Sequence, residues 1–108
     1  MELIPKHQFK ISGFGMYLPP KIETSQELAK KINKTEEWII SRTGVKERRI
    51  SDIDVDKMGA IAADQAIGEK SPPDLIINAS GVPKQTLPDT SVFIQKELGY
   101  NNIPSFSV

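Results

Sequence analysis

Cysteine is absent from these 108 residues, which excludes a disulfide frame, a thiolate metal site and a cysteine nucleophile within them. Histidine occurs once, as His7, so no multi-histidine metal centre can be assembled. No apolar run approaches the roughly 18 residues of a membrane span, and the opening MELIPKHQFK lacks the apolar core of a signal peptide. Net charge is missing too, with 14 basic residues against 14 acidic ones. That balance argues against a general nucleic-acid binder. The length allows one domain at most, and a hydrophobic fraction of 38% allows a modest core. What remains is a soluble, intracellular α/β chain with no expectation of nucleic-acid or membrane partners.

The charge that is present is uneven. Residues 1–54 carry ten bases and eight acids, and residues 55–108 carry four bases and six acids. The excess gathers in Arg42-Thr43-Gly44-Val45-Lys46-Glu47-Arg48-Arg49. No repeat, low-complexity tract or long linker interrupts the chain, so any domain boundary is expected outside it.

Phe9 to Leu18, rich in aromatic and apolar residues and halted by Pro19-Pro20, predicts a strand. Gly13 and Gly15 within it imply a bulge or the close passage of a ligand or another backbone. Thr24-Ser25 is positioned to cap a helix over QELAKKI, with Leu28 and Ile32 as its apolar pair. Thr35 opens a second short helix, TEEWIISR. Its acids Glu36 and Glu37 stand in the first turn and Arg42 in the last, as the dipole favours, and Gly44 stops it. VKERRI alternates weakly, as a short strand would.

Asp54 or Asp56 then opens a longer helix, with Val55, Met58, Ile61/Ala62 and Ala66 as its buried stripe and an end near Gly68. LIINAS reads as a buried strand of a parallel sheet. Pro88-Asp89-Thr90 opens a last helix through Leu98 with a Gly99 stop, and IPSFSV is a final strand. This order points to a parallel or mixed sheet with right-handed crossovers.

Most motifs are better explained without chemistry. Gly13-Phe14-Gly15 lacks the third glycine and following helix of a dinucleotide fingerprint. Ser80 follows a strand, but not in the frame of a nucleophile elbow, and satisfies loop backbone groups more simply. His7 reads as solvated, and Glu36-Glu37 point apart on their helix. Trp38 and Arg42, four apart on one helix, can face the same way. A flat aromatic beside a planar cation suits a purine through stacking and cation–π contact, and Lys46, Arg48 and Arg49 are possible phosphate contacts. On pattern alone, a core tryptophan and a solvated basic face remain the plainer reading of these residues.

The longer stretch alters that balance. Tyr17-Leu18-Pro19-Pro20, followed by Thr35-Glu36-Glu37-Trp38-Ile39-Ile40-Ser41-Arg42-Thr43-Gly44-Val45-Lys46-Glu47-Arg48-Arg49-Ile50, resembles the N-terminal region of β-ketoacyl-acyl carrier protein synthase III. Later pieces keep the family's order: Met58-Gly59, Asp74-Leu75-Ile76-Ile77, Leu87-Pro88, Phe93-Ile94-Gln95 to Leu98-Gly99, and Pro104 to Val108. The likeness covers nearly all of residues 9–108.

The resemblance implies a thiolase-like α/β fold of two similar halves, with residues 1–108 forming an incomplete first half. It implies a cytoplasmic homodimer that carries out a decarboxylating Claisen condensation of acyl-coenzyme A with malonyl-acyl carrier protein, as in fatty acid or polyketide-type biosynthesis. Coenzyme A is there a substrate, not a cofactor. The family's nucleophile, a cysteine just past the strand matching Pro104–Val108, and its histidine and asparagine partners match no position in this sequence. The chain is therefore expected to be inactive alone and to need the remainder of the enzyme to complete its sheet.

The same resemblance gives Trp38 and Arg42 to the coenzyme A adenine and the strand at Pro104–Val108 to the dimer contact. Leu87 falls where a larger apolar residue, often phenylalanine, shapes the partner's acyl pocket. Asn33-Lys34-Thr35 and the short Pro72-Pro73 connection depart from the family pattern, as would suit an unusual acyl chain or the joining of two acyl-coenzyme A molecules. A non-catalytic coenzyme A or adenine-nucleotide binding module is the competing reading.

Overall fold

The computed structural model describes residues 6–108, which form two compact units, residues 17–54 and residues 6–16 with 55–108. The sequence carries no linker at either junction. The division arises because the strands of residues 17–54 pair only with each other.

In residues 17–54, β1 (Lys21–Thr24) leads without a loop into α1 (Ser25–Ile32). Thr24 is both the end of the strand and the helix cap. Its Oγ1 accepts from the Glu27 amide at 3.1 Å while Glu27 Oε2 accepts from the Thr24 amide at 2.8 Å, a reciprocal box that satisfies two otherwise orphaned donors. Asn33, in the left-handed conformation, ends α1. After Lys34, the Thr35 hydroxyl accepts from the Trp38 amide to cap α2 (Glu36–Thr43), which Gly44 closes with φ 68°. β2 (Glu47–Ile50) returns antiparallel to β1, with Ile22 opposite Arg49 and Glu23 opposite Arg48. Ala29 and Ile39 are the buried apolar anchors of the two helices.

In the other unit, α3 (Val55–Ile67) is followed by β3 (Ile76–Asn78), α4 (Thr90–Leu98) and β4 (Ser105–Ser107). β3 and β4 pair in parallel, Ile77 opposite Phe106. Asp89 caps α4 through the Ser91 amide and Gly99 closes it. α3 and α4 pack closely at Gly59, where a β carbon would lie 3.1 Å from Ile94 Cδ1. Ala60 and Ile94 are buried there.

The expected single parallel or mixed sheet is instead, among the described residues, two separate two-stranded sheets, and three further expectations need correction. Phe9–Leu18 forms no strand among the described residues, and β1 instead begins after Pro19-Pro20. The stretch has no ladder partner. Residues 13 and 15 are pressed against the α3 backbone, where a β carbon at either would stand 2.2 Å from the Ala66 or Ala62 carbonyl oxygen. The glycines do mark a close backbone approach, but to a helix.

Second, Ile61 is exposed, and the buried positions of α3 are Asp56 and Ala60. The helix is covered at Gly59 by α4 and at Ala62 and Ala66 by the glycine segment, a different side from the one Ile61 occupies. Third, β3 and β4 are not buried strands. Ser105 and Ser107 hydrogen-bond to Gln95 and Asp89 of the α4 region, whereas Ile77 and Phe106 project on the other face and stay exposed.

Candidate functional site

Two short caps fix the direction of the α2 side chains. Thr35 starts the helix and Gly44 stops it, with Ile39 buried at 2% exposure. Trp38, the preceding residue, is turned outward and keeps 38% of its surface exposed. One turn later, the Arg42 guanidinium carbon stands 4.7 Å from the centroid of the Trp38 ring. The indole and guanidinium thus share one surface, as four-residue spacing on a helix dictates.

A second cation lies at the same ring. Lys34 Nζ is 5.1 Å from the centroid. In the sequence this residue stood out only within Asn33-Lys34-Thr35 as a departure from the family pattern, not as a site residue, although Lys34, Trp38 and Arg42 follow one another at intervals of four. Among the described residues neither cation is ion-paired. The surface is therefore apolar at its centre, positive on its flanks, and open to solvent, which fits an aromatic anion.

The other basic residues do not converge. Arg48 and Arg49 are neighbours on β2 and so lie on opposite faces. Arg48 Nη2 reaches Ser25 Oγ at 3.4 Å beside buried Glu23, while Arg49 Nη1 donates to the Pro19 carbonyl at 3.2 Å. Glu23 accepts from Lys31. That bond, outweighing burial and aided by the charges of Lys31, Arg48 and Lys21, holds its carboxyl below the ordinary value. Lys46 is exposed next to β2. Only Arg49 and Lys46 present much free surface for a phosphate.

Leu87 stands in the loop between β3 and α4 and is 80% exposed. Its loop is held by Lys84, whose backbone amide donates to Thr90 Oγ1 at 3.0 Å and whose ammonium meets Asp56 Oδ2 at 2.8 Å. This ion pair is invisible to local pattern, because 28 positions separate its members. Burial pushes the Asp56 carboxyl up, but the Lys84 hydrogen bond and charge outweigh it and leave it below the ordinary range. Ser80 closes a small turn with the backbone of Val82, as read from the sequence. Among the described residues no group of three metal-ligating side chains converges and no helix is long and apolar enough to cross a membrane.

No protein-family model matches the chain. Its sequence is 40% identical over 105 residues to β-ketoacyl-[acyl-carrier-protein] synthase III of Laribacter hongkongensis, covering 92% of this chain and 33% of that protein. The crystal structure of 3-oxoacyl-[acyl-carrier-protein] synthase III from Aquifex aeolicus VF5 superposes with a TM-score of 0.80 at 37% identity, over 92% of this chain and 34% of the other. The priming β-ketosynthase of the R1128 polyketide pathway superposes equally well, TM-score 0.80 at 32% identity, over 99% of this chain and 34% of its own. The chain spans about a third of the length of the curated relatives it matches. Its architecture is an incomplete portion of their thiolase-like α/β fold.

Proposed function

We propose that this chain, which is similar to β-ketoacyl-acyl carrier protein synthase III over about a third of that enzyme's length, forms the coenzyme A-binding part of a condensing acyltransferase of that family. The whole enzyme transfers the acyl group of an acyl-coenzyme A to malonyl-acyl carrier protein, releasing coenzyme A and carbon dioxide, at the start of a fatty acid or polyketide-type chain. The observation that carries this reading is the exposed Trp38 ring with the Arg42 guanidinium 4.7 Å away. The adenine stacks on the indole, and the guanidinium moves against the purine or its phosphates.

The role of these residues is binding and orientation. Anchoring the nucleotide end of a thioester far from its reactive carbonyl holds that carbonyl in place and lowers the entropic cost of the transfer. The chain holds no cysteine, so alone it forms no acyl-cysteine intermediate and is inactive. Residues 1–108 are then the N-terminal portion of the first half of the fold. The edge of β4 away from β3 serves as the contact of a cytoplasmic homodimer, and Leu87, exposed in its loop, lines an acyl pocket.

The test uses the enzyme that carries this chain, assayed with an acyl-coenzyme A and malonyl-acyl carrier protein. Trp38→Ala raises KM for the acyl-coenzyme A about tenfold or more, as loss of one stacked base predicts, while kcat changes little. An unchanged KM in both Trp38→Ala and Arg42→Ala contradicts the assignment.

A further inference from the structure

Lys34 is the residue at this surface that the function described so far leaves without a task. Its ammonium lies 5.1 Å from the Trp38 centroid, and the Arg42 guanidinium lies 4.7 Å from the same point. The two cations are therefore within about 10 Å of each other, on the order of one screening length at 0.1 M salt, and they repel.

The C-terminal turn of α2 favours Arg42, but Lys34 has no such support, since the neighbouring Glu36 and Glu37 form no ion pair with it. Among the described residues no carboxylate pairs with either cation. Lys34 directly precedes the Thr35 cap of α2, where the positive end of the helix disfavours a cation. A basic side chain in that position weakens the helix and contributes only a modest contact with the ring. A multiply charged anion bound beside the indole removes both penalties.

We propose that Lys34 recognises a phosphate monoester on the ribose of the bound purine nucleotide, so that the site selects 3′-phosphorylated adenine nucleotides such as coenzyme A over forms that lack that phosphate. The inference rests on the purine-clamp reading of Trp38 and Arg42. With the base stacked on the indole, its ribose lies at the ring edge. A monoester there carries nearly two negative charges and meets an ammonium as a charge-assisted hydrogen bond. Arg42 is left to the base or to the phosphates further along.

Trp38 is the only tryptophan of the chain, so its emission reports on this surface alone. The chain is titrated with coenzyme A, 3′-dephospho-coenzyme A and adenosine. The expected result is a preference of roughly five- to tenfold for coenzyme A over the dephospho form. Lys34→Ala removes the preference by weakening coenzyme A more than dephospho-coenzyme A, and Lys34→Arg retains it. If Lys34→Ala keeps the preference, or weakens both coenzymes equally, the inference is overturned. It is overturned also if the unmodified chain binds both coenzymes alike, and in each of these cases the clamp reading survives. If none of the three ligands alters Trp38 emission, the clamp reading fails and takes this inference with it.

Discussion

Asp56 Oδ2 and Lys84 Nζ meet at 2.8 Å, joining the first turn of α3 to the loop that leads into α4. Asp56 is fully buried, and the Lys84 side chain is about a quarter exposed. Removing the lysine leaves a buried carboxylate without its counter-charge. Lys84→Met is expected to cost roughly 2 kcal/mol at neutral pH, below the full cost of breaking a wholly buried pair because water still reaches the ammonium.

The pH dependence of that cost has a definite sign. The Asp56 carboxyl is held below its ordinary value, so its contribution is complete above the ordinary carboxylate range and fades as pH falls through and below it. Urea midpoints of the two proteins therefore converge at acidic pH. A constant gap from neutral pH down to the lower end of that range contradicts the role given to the pair.

Gly15 and Gly13 test the close approach of residues 6–16 to α3. Gly15→Ala forces a methyl to within 2.2 Å of the Ala62 carbonyl oxygen, whereas Gly81 has nothing within 4 Å of the corresponding position. Overpacking against backbone costs roughly 1–3 kcal/mol. The expected urea midpoint is lower for Gly15→Ala and nearly unchanged for Gly81→Ala. Equal midpoints show that the segment is not packed against the helix in solution.

Phe9, Ile11 and Phe14 lie in one extended stretch, each more than four-fifths exposed, with no strand beside it among the described residues. Contiguous apolar surface on unpaired backbone favours association. Sedimentation velocity of the chain alone is expected to show species larger than a monomer, reduced by Phe9→Lys with Phe14→Lys. A single monomeric boundary for the unmodified chain contradicts this.

What the sequence disclosed and what it hid divide along the range of the interactions. The Thr35 cap and the glycine stops at Gly44 and Gly99 are local chemistry and stand where the pattern put them, while Thr24 and Asp89 are the caps within helix starts that the pattern left open as Thr24-Ser25 and Pro88-Asp89-Thr90. Helical spacing allowed the Trp38–Arg42 contact, but pattern alone favoured a core tryptophan, and the exposed ring comes from the packing of Ile39. Phe9–Leu18 was misread because a strand needs a partner, and residue type cannot report whether one is available. Exposed Ile77 and Phe106 carry the same lesson. Their apolar character implied burial, but α4 covers only the serine face of the strand pair. Lys34 obeys the same spacing as Arg42 but precedes the cap of α2, so helical periodicity did not mark it as a site residue.

Fluorescence of Trp38 during titration with coenzyme A tests the central claim most directly. The account predicts saturable quenching by coenzyme A in the folded chain, with affinity at least about tenfold weaker in Arg42→Ala. An emission that does not respond, or an Arg42→Ala protein that binds as tightly as the original, contradicts it.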